Sequence, residues 1–143
     1  MRPFFMHRWE EATYALLRVV TGGLMMQHGA QKLFGLLKAP DAPPGTVPLF
    51  SQMGLAGVLE FFGALLVAVG LFTRPVSFVM SGLMAAAYFI GHAPQGFWPI
   101  LNKGELAALY CFVFLYFAAR GGGRYSLDHA LFGRRAGAEA RRV

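Results

Sequence analysis

Four apolar segments, at about residues 12–36, 53–72, 76–93 and 104–120, take up most of this chain. Each approaches the roughly 20 residues that a helix needs to cross the hydrocarbon of a bilayer. Runs such as FFGALLVAVGLF (61–72) and YCFVFLYFAA (110–119) keep no polar face for water, which argues against a soluble bundle. With 143 residues, 56% hydrophobic and 14% charged, the chain has room for a single domain, 1–143. The expectation is an all-α protein, an integral membrane four-helix bundle.

The linkers fit that plan. KAPDAPPGTVPLFSQ holds four prolines and reads as an extended loop on the membrane surface. TRP (73–75) is short enough only for a tight helical hairpin. HAPQGFWPILNK puts Phe97, Trp98 and two prolines where an interfacial aromatic belt belongs. Small residues recur on the later helices, with Ser77, Ser81 and Ala85 on one stripe and Gly63 and Gly70 in the second segment, so close helix packing is expected.

Basic residues set an orientation. Arg2, Arg8, Arg74, Arg120, Arg124, Arg134, Arg135, Arg141 and Arg142 fall on the side of the termini, against Lys38 and Lys103 on the other. By the positive-inside tendency both termini are expected to be cytoplasmic, in a multi-pass membrane protein. Glu10 and Glu11 are atypical of a signal peptide, so the first helix is expected to stay uncleaved. The net charge of +6 comes from arginines in flanking segments, which points to membrane lipids as partners and to no nucleic acid. Cys111 is the single cysteine, so there is neither an intrachain disulfide nor a CxxC pair. Redox chemistry would require a bound cofactor or a partner subunit.

Polar residues at one depth single out a candidate site. His28 lies about 12 Å below the outer end of the first helix, and Glu60, on a helix running the other way, lies at about 10 Å. Lys32 is one turn from His28, Gln31 adjoins it, His92 closes the third helix, and Glu105 opens the fourth on the same side. A carboxylate in hydrocarbon needs a partner, so Glu60 is expected against His28 or Lys32 in a pocket opening outward. The polar residues of QHGAQK then face the bundle interior. Such a pocket reads either as glue between helices or as a binding site for a small polar or quinone-like molecule. Metal binding is a further reading, since His28, Glu60, His92 and Glu105 have suitable donor atoms, but they sit on four helices and match no short metal motif, so no metal site is assigned.

On the cytoplasmic side, Arg18 sits six residues into the first helix, and its fork geometry suits Asp128 in GRYSLD as a structural polar pair. GGGRYSLD reads as a glycine turn, with Ser126 capping a short C-terminal interfacial helix, SLDHALFG. His7 and His129 lie in flanking polar sequence and read as solvated.

The succession LLRVVTGGLMMQHGAQKLFG, GVLEFFGALLVAVGLFTRP, a histidine closing the third helix, NKGELA and GGGRYSLD resembles the DoxX family of small bacterial membrane proteins, from about Ala15 to Asp128. The resemblance implies a four-helix membrane fold. It also implies a neighbourhood of membrane oxidoreductase systems, quinone-linked or handling thiols and sulfur, rather than one reaction. Arg18, His28, Lys32, Glu60, Arg74, Glu105, Tyr125 and Asp128 occupy the recurrent polar positions. On that basis the chain is expected to be an oxidoreductase subunit acting with a partner subunit or as a homo-oligomer. His28, Lys32 and Glu60 are the candidate catalytic groups, and His28, Gln31, Glu60, His92 and Glu105 line the pocket. No cofactor is fixed by the sequence, a quinone being the candidate. A non-enzymatic anchor or assembly factor is the alternative, and a small-molecule transporter a third reading.

Overall fold

The computed structural model describes residues 9–139, with side chains through residue 133. Arg2, His7, Arg8, Arg141 and Arg142 lie outside the described residues, as do the side chains of Arg134 and Arg135. The elements are helices α1 (Glu10–Phe34), α2 (Gln52–Val69), α3 (Thr73–Gln95), α4 (Pro99–Asn102), α5 (Glu105–Arg120) and α6 (Leu127–Glu139), with no strand among the described residues. The four apolar segments all become helix. The third starts earlier than anticipated, at Thr73, because Pro75 is tolerated in a first turn that has no intrahelical acceptor for its amide. Pro99 opens the one-turn α4 within the linker HAPQGFWPILNK, where no helix is expected from the sequence.

Each helix end has a local cause. Gly35, at φ 66°, closes α1 and passes its N–H to Ala30 O. Ser51 caps α2, its hydroxyl accepting from Gly54 N at 3.0 Å. Gly70, at φ 74°, ends α2. Ser126 caps α6 as anticipated, accepting from His129 N at 3.1 Å, and the helix runs on to Glu139.

Packing follows from small residues. α1 lies along α2 at Gly22 and Gly29, where a Cβ would come within 2.7 Å of Ala64 O and 2.5 Å of Phe61 N. Glycine is the side chain that permits this approach. α3 lies along α5, where Ser81 Oγ donates to Cys111 O at 2.9 Å. Tyr14, Met25, Val67, Met80, Met84, Phe114 and Phe117, drawn from all four long helices, share one core. Tyr14 meets Phe117 edge-on at 5.7 Å and ties α1 to α5.

The distribution of polarity is inverted relative to a protein in water. Leu16, Val20, Phe62, Phe78, Phe89, Leu106 and Phe112 are exposed, whereas Arg18, Glu60, Thr73, Ser77 and Asn102 are buried. An apolar surface of this extent is a liability in water and the favoured state in lipid, where polar groups belong inside. Gln52–Val69 and Thr73–Gln95 are long and apolar enough to cross a membrane.

Candidate functional site

Two of the long helices depart from α geometry, each at a polar residue. In α2 a π turn spans Leu59–Gly63 and carries Glu60; in α3 a π turn spans Ala87–His92 and ends on His92. A π turn takes one extra residue into the helix, which bulges the backbone and re-aims the side chains it holds. Between these two turns lies a cleft of about 250 Å³, lined by His28, Glu60, His92, Lys103 and Tyr110, with Met25 and Met84 among its apolar walls.

Glu60 is 5% exposed. Both its carboxylate oxygens accept from Lys32 Nζ, at 2.5 and 2.6 Å, so the ammonium bridges the carboxylate from α1. A charge-assisted pair of this geometry offsets part of the cost of removing both charges from water. Of the other polar residues around Lys32, Gln27 and His28 are exposed, His28 at the cleft. Gln31 donates to Leu37 O at 2.7 Å and helps close the end of α1. Thus the expected inward turn of QHGAQK is not shared by all its polar members: consecutive residues step 100° around a helix, and Gly29 takes the contact with α2.

His92 Nδ1 lies 3.0 Å from Asn102 O, and its ring stacks on Tyr88. Asn102 is 2% exposed. Its Nδ2 donates to Gly96 O at 2.6 Å and its Oδ1 accepts from Gly104 N at 2.8 Å, while the Tyr88 hydroxyl donates to Phe97 O. The connection from α3 to α5 is therefore a hydrogen-bonded unit. Glu105 is exposed in the first turn of α5, has no hydrogen-bond or ion-pair partner among the described residues, and does not line the cleft. Lys103 lines it instead, at φ 60°, a left-handed conformation that is uncommon outside glycine and asparagine.

The other end of the bundle holds a second polar centre. Arg18 is 1% exposed and does not pair directly with Asp128. Its guanidinium donates to Val67 O at 2.5 Å and Ala68 O at 2.8 Å in the last turn of α2, where Val67 O also accepts from Gly70 N, and to Tyr125 O at 2.6 Å before α6. Asp128 accepts from Phe72 N at 2.7 Å and Thr73 N at 2.9 Å and caps α3. Arg74 in turn donates to Ala119 O at 2.6 Å at the end of α5. The expected ion pair gives way to three helix caps, in which Arg18, Asp128 and Arg74 each bond backbone groups at a helix end. Glu11, in the first turn of α1, accepts from Arg124 N at 2.9 Å and Arg120 at 2.6 Å. These bonds, that to Arg124 N first, hold its carboxyl below the usual carboxylate range.

A wider, open groove of about 740 Å³ at this end is bordered by Phe72, Arg74, Arg120, His129 and Phe132. Its arginines already serve the caps and Glu11. The cleft between the π turns is the better candidate: it offers a carboxylate with its ammonium, two imidazoles, a phenol and a second ammonium beside the apolar walls of Met25 and Met84. Such a set can bind, orient and exchange protons with a small ring compound. Among the described residues no three of His, Cys, Asp and Glu converge as a metal-ligand set.

The sequence reading placed Glu60, His28 and His92 in one region, but missed Lys103, Tyr110 and Asn102. The sequence signal for Lys103 is its place before Gly104 at the end of the proline-containing linker, where the chain turns into α5.

Comparison with known proteins gives two matches. The family model described as DoxX matches residues 13–93, which takes in Arg18, His28, Lys32, Glu60, Arg74 and His92 and stops short of Lys103, Glu105 and Asp128. An uncharacterized protein of Haemophilus influenzae is 39% identical over 134 residues, covering 92% of this chain and 93% of its own length. No solved structure matches.

Proposed function

This chain belongs to the DoxX family, a membrane-associated family often linked to redox functions, and from that premise we propose that it is a membrane subunit of an oxidoreductase system whose cleft receives a quinone-like molecule. It is one domain, 1–143, crossing the inner membrane four times with both termini in the cytoplasm. The exposed apolar girdle supports four crossings. Arg74, Arg120 and Arg124 at the end shared with the termini, against Lys38 and Lys103 at the other, support the orientation.

The observation that carries the reading is the cleft that Glu60 and His92, each held in a π turn, line together with His28, Lys103 and Tyr110. A structural polar pair alone has no need of a cleft beside it, nor of two local departures from α geometry. Glu60 with Lys32, His28 and His92 would hold the polar edge of a ring and pass protons to it, while the electrons are supplied through a partner subunit, since the lone Cys111 offers no dithiol. The ion pair and the three caps also favour a second reading, a non-enzymatic anchor or assembly factor, in which every buried polar residue serves packing.

Photolabelling distinguishes the two. In lipid nanodiscs, a photoreactive benzoquinone should label the segments around Glu60 or Tyr88–Tyr110, and excess short-chain benzoquinone should compete. Labelling that is spread over the lipid-facing surface and does not saturate contradicts the quinone-type cleft and leaves the anchor.

A further inference from the structure

The bond between His92 and Asn102 fixes more than the position of a ring. Asn102 O is a backbone carbonyl and only accepts, so at 3.0 Å His92 Nδ1 must carry the hydrogen. In the neutral imidazole Nε2 is then bare and presents a lone pair. The ring lines the cleft, and its Nδ1 edge is taken up by Asn102. That carbonyl is itself held in place: the buried Asn102 side chain spans Gly96 O and Gly104 N, so the turn that offers it is braced on both sides. Tyr88 lies alongside the ring, with centroids 6.5 Å apart and planes 26° from parallel.

We propose that Asn102 is a positioning residue that locks His92 in its Nδ1–H form, making His92 Nε2 the hydrogen-bond acceptor by which the cleft recognises a ligand hydroxyl. The inference rests on the cleft being a binding site for a ring compound. It adds that the preferred ligand carries a hydroxyl on that ring, as a hydroquinone or phenol does, rather than carbonyls alone. The titratable and charged groups facing the cleft besides His92 are His28 from α1, Glu60 from α2, Lys103 before α5 and Tyr110 from α5. Both oxygens of Glu60 already accept from Lys32, whereas the one hydrogen bond of His92 among the described residues is made through Nδ1.

Two measurements on the full chain in nanodiscs test this. With ¹⁵N-histidine, NMR distinguishes a protonated Nδ1 from a protonated Nε2, and His92→Gln identifies the signal that belongs to His92. The expected spectrum at neutral pH has Nδ1 protonated, and Asn102→Ala should shift it toward a mixture of tautomers while a control, Ser81→Ala, leaves it unchanged. A neutral His92 with the hydrogen on Nε2, or a tautomer indifferent to Asn102→Ala, overturns the assignment. The second measurement compares binding of a short-chain benzohydroquinone with that of its dimethyl ether, which has nearly the same ring and no hydroxyl. The hydroquinone should bind about tenfold more tightly, the worth of one hydrogen bond, and His92→Phe should erase the difference. Equal binding of the two by the unaltered protein overturns the inference and spares the quinone-type cleft; binding of neither overturns both.

Discussion

Lys32 Nζ sits between the two carboxylate oxygens of Glu60, at 2.5 and 2.6 Å, and so joins α1 to α2 at the edge of the cleft. The Lys32 side chain is 21% exposed and that of Glu60 6%, so the carboxylate depends on the ammonium more than the reverse. Lys32→Met should therefore destabilise the bundle by about 3 kcal/mol, because it leaves a buried charge without its partner. Lys32→Met combined with Glu60→Leu should recover most of that loss. Thermal unfolding in detergent checks both, and additive losses would mean that the two residues do not act as a pair.

Arg18 makes a separate prediction. Its guanidinium reaches carbonyls on α2 and Tyr125 at once, a fan of donors that an ammonium does not reproduce. Arg18→Lys should cost about 2 kcal/mol and Arg18→Met more, since Ala68 O and Tyr125 O lose the guanidinium as donor and Val67 O keeps only Gly70 N. If Arg18→Lys unfolds at the same temperature as the unaltered protein, the capping account of this residue fails.

Much of this arrangement was legible in the sequence. The length of the apolar runs and the proline-rich loop gave the helices, and antiparallel depth alone set Glu60 level with His28. The π turns were not legible: they add one residue to a helix without any change in composition. Nor were the roles of Arg18 and Arg74, since a helix-end carbonyl carries no side-chain signature and Asp128 looked like the natural partner of Arg18. Glu105 was placed by depth alone, and rotation about α5 takes it out of the cleft.

Acid should weaken the contact between α1 and the α5–α6 connection. Arg124 N and Arg120 hold the Glu11 carboxyl below its ordinary value of 4.5, so the folded chain binds fewer protons there than the unfolded one. The stabilisation is present above that value and is lost as pH falls through the lower folded value. Glu11 is 43% exposed on its side chain, so the effect is modest. Between about pH 6 and pH 3 the unfolding temperature of Glu11→Gln should fall less than that of the unaltered protein. Parallel curves would remove Glu11 from the account.

Orientation is checked by labelling in intact cells. A cysteine at Pro44, in a background where Cys111 is replaced by serine, should react with an impermeant maleimide, whereas one at Gly137 should be protected until the membrane is opened. The reverse pattern would put the cleft toward the cytoplasm.

The central claim, that Glu60 serves chemistry and not packing alone, is tested most directly by the activity of the associated oxidoreductase in membranes carrying Glu60→Gln. Glutamine keeps the shape and an acceptor for Lys32, so abundance and unfolding temperature should stay near normal, while Glu60→Leu strands Lys32 and lowers both. Glutamine cannot exchange a proton as the carboxylate does, so the account predicts that Glu60→Gln loses most of the coupled activity at normal abundance. Full activity of Glu60→Gln at normal abundance would contradict it.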